Sequence, residues 1–220
     1  YTYYRDAWGV RAYVLDTGIQ SKHPEFEDRA IAVYDAWGGN GQDCHGHGTH
    51  VSGTIGGKTY GVAKQSFLRG VRVLDCNGKG TISGIIAGVD WVAKTHVKPA
   101  VANMPLLPAK STIFNTAVDN LAGAGVFVAV AAGNGDANAC NYSPSSASNV
   151  FTVAASDKLD NRASFSNYGA CVTAYAPGVG VRSAWLNFGT ASISGTSMAT
   201  PHVAGAAALV KSRNPSLTNL

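Results

Sequence analysis

Residues 10–15 form an apolar run broken only by Arg11 and ending at Asp16-Thr17-Gly18, which predicts a buried strand with a turn behind it. Similar runs predict strands at 67–74, 101–104, 150–155 and 171–175, and the unbroken run 126–131 stops at Gly133-Asn134. Between them the period changes. Ile82, Ile85, Ile86, Val89 and Val92 recur at helical spacing within 81–96, and Phe114, Ala117, Val118 and Leu121 mark a second helix closed by Gly123 and Gly125. A short helix is expected over 47–55 and a longer one over 197–210, while Gly38 to Gly41 is loop.

Strands therefore alternate with helices, and several strands are apolar on both faces. That order predicts an α/β fold, a three-layer sandwich with a mostly parallel central sheet covered by helices on both sides. In such folds ligands bind beyond the carboxyl ends of the strands. Asp16, Leu74, Met104 and Asn134 all fall at or just past such ends.

The length of 220 residues suits one domain, 1–220, with a large core. Hydrophobic residues make up 45% and charged residues 14%, the profile of a compact globule rather than a disordered chain. The net charge of +4 is spread without a block of like charges, which argues against nucleic acid as a partner. No stretch reaches 18 apolar residues, so no membrane helix is expected. Residues 1–8 lack the basic-then-apolar order of a leader. The four cysteines, Cys44, Cys76, Cys140 and Cys171, are even in number and lack CxxC spacing, which favours two disulfides in any of three pairings over a zinc ribbon.

Three segments carry candidate chemistry. Ser197, at the start of the last helix, has a backbone N–H free to face a ligand, and Pro201 fits a first helical turn. A plain N-cap serine is the simpler alternative. His47, flanked by Gly46 and Gly48, has the pKa range of a general base. His45, His47 and His50 also invite a metal reading, but no HExxH-type carboxylate accompanies them. His50 and His202 read equally as core histidines. Asp16, at the end of a buried strand, needs a partner, and either turn formation or the orientation of a histidine supplies one. The chain order Asp16, His47, Ser197 is that of the Asp-His-Ser triad of subtilisins.

These segments resemble the subtilases, and within them the proteinase K branch with its bacterial thermophilic and marine members. The resemblance is carried by Val14-Leu15-Asp16-Thr17-Gly18, His47-Gly48-Thr49-His50-Val51, Tyr60-Gly61-Val62-Ala63-Lys64, Ala131-Ala132-Gly133-Asn134, Ser164-Phe165-Ser166-Asn167-Tyr168-Gly169 and Gly195-Thr196-Ser197-Met198-Ala199-Thr200-Pro201-His202. It implies a secreted serine endopeptidase with Asp16, His47 and Ser197 as catalytic residues. It further implies an oxyanion hole from the Asn134 side chain and the Ser197 N–H, although Asn134 also reads as a turn residue. Substrate would lie extended between Asn77-Gly78-Lys79-Gly80 and Met104-Pro105-Leu106-Leu107, over a pocket floored by Ala131, Ala132 and Gly133 that suits a large apolar or aromatic residue. The resemblance implies disulfides Cys44–Cys76 and Cys140–Cys171, protein or peptide substrates, an N-terminal propeptide that acts as inhibitor, and a monomer. No cofactor is implied for the chemistry.

The chain also departs from the family. Pro105-Leu106-Leu107-Pro108 stands where the family reads Ser-Leu-Gly-Gly, placing two residues without N–H donors and a bulky side chain beside the substrate. A catalytically silent binding protein using the same cleft is the competing function. Gly38-Gly39-Asn40-Gly41 is not the phosphate-binding glycine pattern, which excludes a nucleotide enzyme. A family calcium-site aspartate falls on Thr173, a poor ligand for a hard cation, so structural calcium is compatible with the family but has no assigned site. Relative to the family both ends are short, and Ser216 is expected to cap a further helix.

Overall fold

A computed structural model describes residues 6–216. The helix expected behind Ser216 falls outside them. Seven strands form one sheet in the order β2-β3-β1-β4-β5-β6-β7: β1 Arg11–Asp16, β2 Ala30–Asp35, β3 Phe67–Arg72, β4 Ala100–Met104, β5 Phe127–Ala131, β6 Phe151–Ser156 and β7 Ala174–Pro177. Every neighbouring pair is parallel. Four helices, α1 His47–Gly56, α2 Ile82–Thr95, α3 Thr112–Gly123 and α4 Thr196–Arg213, supply the outer layers, and β8 Val181–Trp185 pairs with β9 Gly189–Ile193 in an antiparallel hairpin.

The alternation of side chains along each strand explains the two layers. Tyr13, Leu15, Ala102, Met104, Val128 and Val130 point to one face, where they pack against Ile85, Val89 and Val92 of α2 and Phe114, Val118 and Leu121 of α3. Ala12, Val14, Val101 and Ala129 point to the other, against Val51 and Ile55 of α1 and Met198, Ala204 and Ala208 of α4. β1 lies between β3 and β4, so the strand order reverses there. The crevice at such a switch point opens at the carboxyl end of the strand, where Asp16 stands.

Both inferred disulfides are present: Cys44–Cys76 with S–S 2.05 Å and Cys140–Cys171 with 2.14 Å. The expected strand over 171–175 shifts to Ala174–Pro177. Cys171 is tied to Cys140 and sits in a turn, with the Val172 N–H bonded to the Gly169 carbonyl at 3.0 Å. Three strands were not anticipated. β2 is a bulged, partly exposed edge strand, and the β8–β9 hairpin has only mixed polar and apolar positions.

Candidate active site

Asp16 ends β1 and is completely buried, and His47 opens α1 beside it. The His47 Nδ1–H donates to the Asp16 carboxylate, with both oxygens at 2.8 Å. The Thr17 N–H bonds the same carboxylate at 2.7 Å. Helix α1 can approach this strand end because residue 48 is glycine: a Cβ there would collide with the Gly18 carbonyl oxygen.

The α1 N-terminus has no side-chain cap of its own, since its N-cap is Gly46. Asp43 takes over that role from the preceding loop. Its Oδ1 accepts from the Thr17 hydroxyl and the His45 and Gly46 N–H groups, each at 2.9 Å. Its Oδ2 accepts from the Thr49 N–H at 2.9 Å and hydroxyl at 2.7 Å. A carboxylate at a helix N-terminus satisfies orphan donors and complements the dipole.

The charge state of His47 follows from these neighbours. Burial is the largest influence and pushes its pKa down, but the Asp16 charge and hydrogen bond, with the Asp43 charge, outweigh it and hold His47 above its ordinary value of 6.5. His50, one helical turn on, behaves oppositely. Burial lowers it from 6.5 to about 4, against the hydrogen bonds of its Nε2–H to the Val181 and Ala191 carbonyls at 3.1 Å. His202 is pushed down by burial as well, and its Nδ1–H donates to the Met198 carbonyl at 2.9 Å. Burial therefore favours the neutral form of both.

Ser197 lies in the first turn of α4, half-buried. Its hydroxyl donates to the Pro105 carbonyl oxygen at 3.0 Å. Asn134 stands opposite. Its Oδ1 accepts from the Thr196 N–H at 2.8 Å and hydroxyl at 3.0 Å, and that hydroxyl in turn accepts from the Gly133 N–H at 3.1 Å. This fixes the amide with its Nδ2 toward Gly195. A Cβ built on Gly195 would stand 3.5 Å from Asn134 Nδ2 and 3.7 Å from the Ser197 N, so two donors border the space that this glycine leaves empty.

A cleft of about 400 Å³ runs beside His47. Asn77, Gly78 and Gly80 form one wall, residues 105–108 the other, and Thr17, His45, Leu74 and Ile85 complete it. The Cys44–Cys76 bridge joins the loop before α1 to the turn that begins the first wall. Lys79 is held by its backbone, which exchanges hydrogen bonds with Asp75 at 2.7 and 2.9 Å. The Met104 side chain, expected along the substrate, is fully buried in the α2–α3 cluster instead, because it points to the helix-covered face of β4. Ala131 and Ala132 are buried behind Gly133.

Asp43 and Thr196 escaped the sequence reading. Asp43 sits in a polar loop with no periodicity, and Thr196 lies inside a motif whose chemistry appeared complete without it. At Thr173 the hydroxyl accepts from the Thr152 N–H at 3.2 Å, so it extends the β6–β7 pairing by one residue. Among the described residues no three His, Cys, Asp or Glu side chains gather as a metal site.

The Asp16–His47 pair stands at the carboxyl end of a parallel sheet, and Ser197, its hydroxyl bonded to the Pro105 carbonyl, opens the last helix packed on that sheet, an order of elements that defines the subtilisin-like fold class. The sequence matches the subtilase family over residues 9–220, and the chain belongs to that family. It is 57% identical over 222 residues to an extracellular serine proteinase of Thermus sp. (strain Rt41A), covering 99% of this chain and 54% of that protein. It is 51% identical over 215 residues to alkaline serine exoprotease A of Vibrio alginolyticus, covering 97% of this chain and 40% of that one. The chain thus spans about half the length of these curated relatives. A crystal structure of a cold adapted subtilisin-like serine proteinase superposes with a TM-score of 0.98 at 50% identity, over 100% of this chain and 81% of the other.

Proposed function

We propose that the protein is a secreted serine endopeptidase acting through an acyl-enzyme. Ser197 Oγ attacks the carbonyl carbon of the scissile bond while His47 Nε2 takes its proton, and the imidazolium so formed is stabilised by Asp16. The negative oxygen of the tetrahedral intermediate is received by Asn134 Nδ2 and the Ser197 N–H. His47 then protonates the leaving amine. Water, deprotonated by His47, releases the acyl group and restores Ser197.

The observation that carries this reading is the buried Asp16 carboxylate held by the His47 Nδ1–H at 2.8 Å, because it fixes the tautomer that leaves Nε2 free as base. The substrate is an extended protein or peptide segment, added between 77–80 and 105–107 as a strand. The family resemblance supports a single catalytic domain over 1–220, a monomer, a propeptide that inhibits the zymogen, and a large apolar or aromatic residue before the scissile bond.

One observation favours a second reading. The Ser197 hydroxyl is engaged by Pro105 in the departing segment, as a silent binding protein would allow. A fluorophosphonate probe separates the two. Labelling at Ser197 with cleavage of casein, both lost in Ser197→Ala, is the expected result. An unlabelled, folded protein establishes the silent reading.

A further inference from the structure

The segment 105–108, one wall of the cleft, carries a side chain that reaches Gly133. A Cβ added at Gly133 would collide with Leu107 Cδ2, so the leucine side chain already lies against the face of Gly133. The family resemblance puts the side chain of the residue before the scissile bond on that face. Its carbonyl has to sit at Ser197 Oγ between Asn134 Nδ2 and the Ser197 N–H, and Gly133 directly precedes Asn134. The open cleft stops accordingly: its lining includes Leu107 but neither Ala131, Ala132 nor Gly133.

Leu107 is also held there. Upstream, Leu106 is buried in the α2–α3 cluster and the Pro105 carbonyl is bonded to Ser197. Downstream, Ala109 bridges to Tyr142. Pro105 and Pro108 fix two φ angles within the span, which reduces the conformations by which the leucine could swing aside.

We propose that Leu107 fills the first pocket and sets the substrate class, so that the residue before the scissile bond is small, glycine or alanine. This rests on the reading of Ser197 as nucleophile and replaces the large residue that the resemblance implies. A branched side chain in an apolar pocket excludes an aromatic ring sterically, whereas glycine brings no side chain and alanine only a methyl group. Even one methylene changes discrimination by about 10- to 200-fold, so the preference is expected to exceed tenfold.

The test uses the full chain and two peptides that differ only in alanine or phenylalanine before the scissile bond. Wild type is expected to favour alanine in kcat/KM by about tenfold or more. The phenylalanine-to-alanine ratio should rise by about tenfold or more in Leu107→Gly, and by less in Leu107→Ala. Binding of the same peptides to Ser197→Ala, with and without Leu107→Gly, measured by fluorescence anisotropy, should show the same shift. A wild type that prefers phenylalanine overturns the proposal even if neither variant folds. So do variants in which both peptides improve equally, since that marks a gate and not a pocket determinant. Failure of the nucleophile reading is seen separately, as absent fluorophosphonate labelling, and the binding ratios then still decide the role of Leu107.

Discussion

Asn134 and Thr196 form a two-point hydrogen-bonded pair, in which the threonine N–H and hydroxyl both bind Asn134 Oδ1, at 2.8 and 3.0 Å. The amide is thereby aimed before any substrate arrives. Asn134→Ala should lower kcat by about 100- to 1,000-fold with little change in KM, a magnitude carried over from a subtilisin, another member of this family. Thr196→Val removes one of the two bonds and loosens the amide without deleting it. A smaller fall in kcat is expected, with KM again nearly constant. A Thr196→Val enzyme altered only in KM would refute this positioning role.

The His47 environment predicts the acid limb of the pH profile. His47 has to be neutral to accept a proton, and Asp16 and Asp43 stabilise its charged form. Activity should therefore fall, as pH drops, through a midpoint above 6.5. Asp43→Asn removes one negative charge and should move the kcat/KM midpoint to lower pH. The same raised pKa makes His47 stabilising below pH 6.5 and removes that stabilisation as pH rises through the folded-state value. An unchanged midpoint in Asp43→Asn would show that Asp43 acts on helix α1 alone.

His50 makes the opposite contribution. Its Nε2–H ties α1 to both strands of the β8–β9 hairpin, and the Ser183 hydroxyl donates to its carbonyl at 2.8 Å. Its depressed pKa of about 4 means that the unfolded chain binds a proton which the folded chain refuses. Stability is lost as pH falls from 6.5 toward 4, by up to about 3 kcal/mol. Denaturant midpoints across that interval should fall less steeply in His50→Gln. Equal slopes would assign the acid sensitivity elsewhere.

The sheet's inner strands were legible because parallel strands covered on both faces carry long apolar runs, as residues 126–131 do. β2 and the β8–β9 hairpin were not legible, since half-exposed strands mix polar and apolar positions. Asp16, His47, Asn134 and Ser197 stand out as candidates because their motifs fall at strand ends and helix starts. Asp43 was not, because five hydrogen bonds to groups on both sides of the site arise only when loop, β1 and α1 are brought together. The clash of Leu107 with any side chain at Gly133 is likewise tertiary: 26 positions separate them in sequence. The leucine was visible as a departure, but its position over the glycine was not.

Helix α4 begins at the site and then packs along the sheet, with Met198, Ala199, Ala204, Gly205 and Ala208 buried on its inner face and Gly205 pressed against Val62. An amide in such an element exchanges with solvent only when most of the domain opens. Copies of a protease of the kind proposed are exposed to one another, and a chain is cut where it can be drawn out locally into an extended strand. The segment that bears Ser197 cannot be drawn out without dismantling the core. Self-digestion would therefore take surface turns first and leave the nucleophile's own helix among the last parts of the chain to be lost.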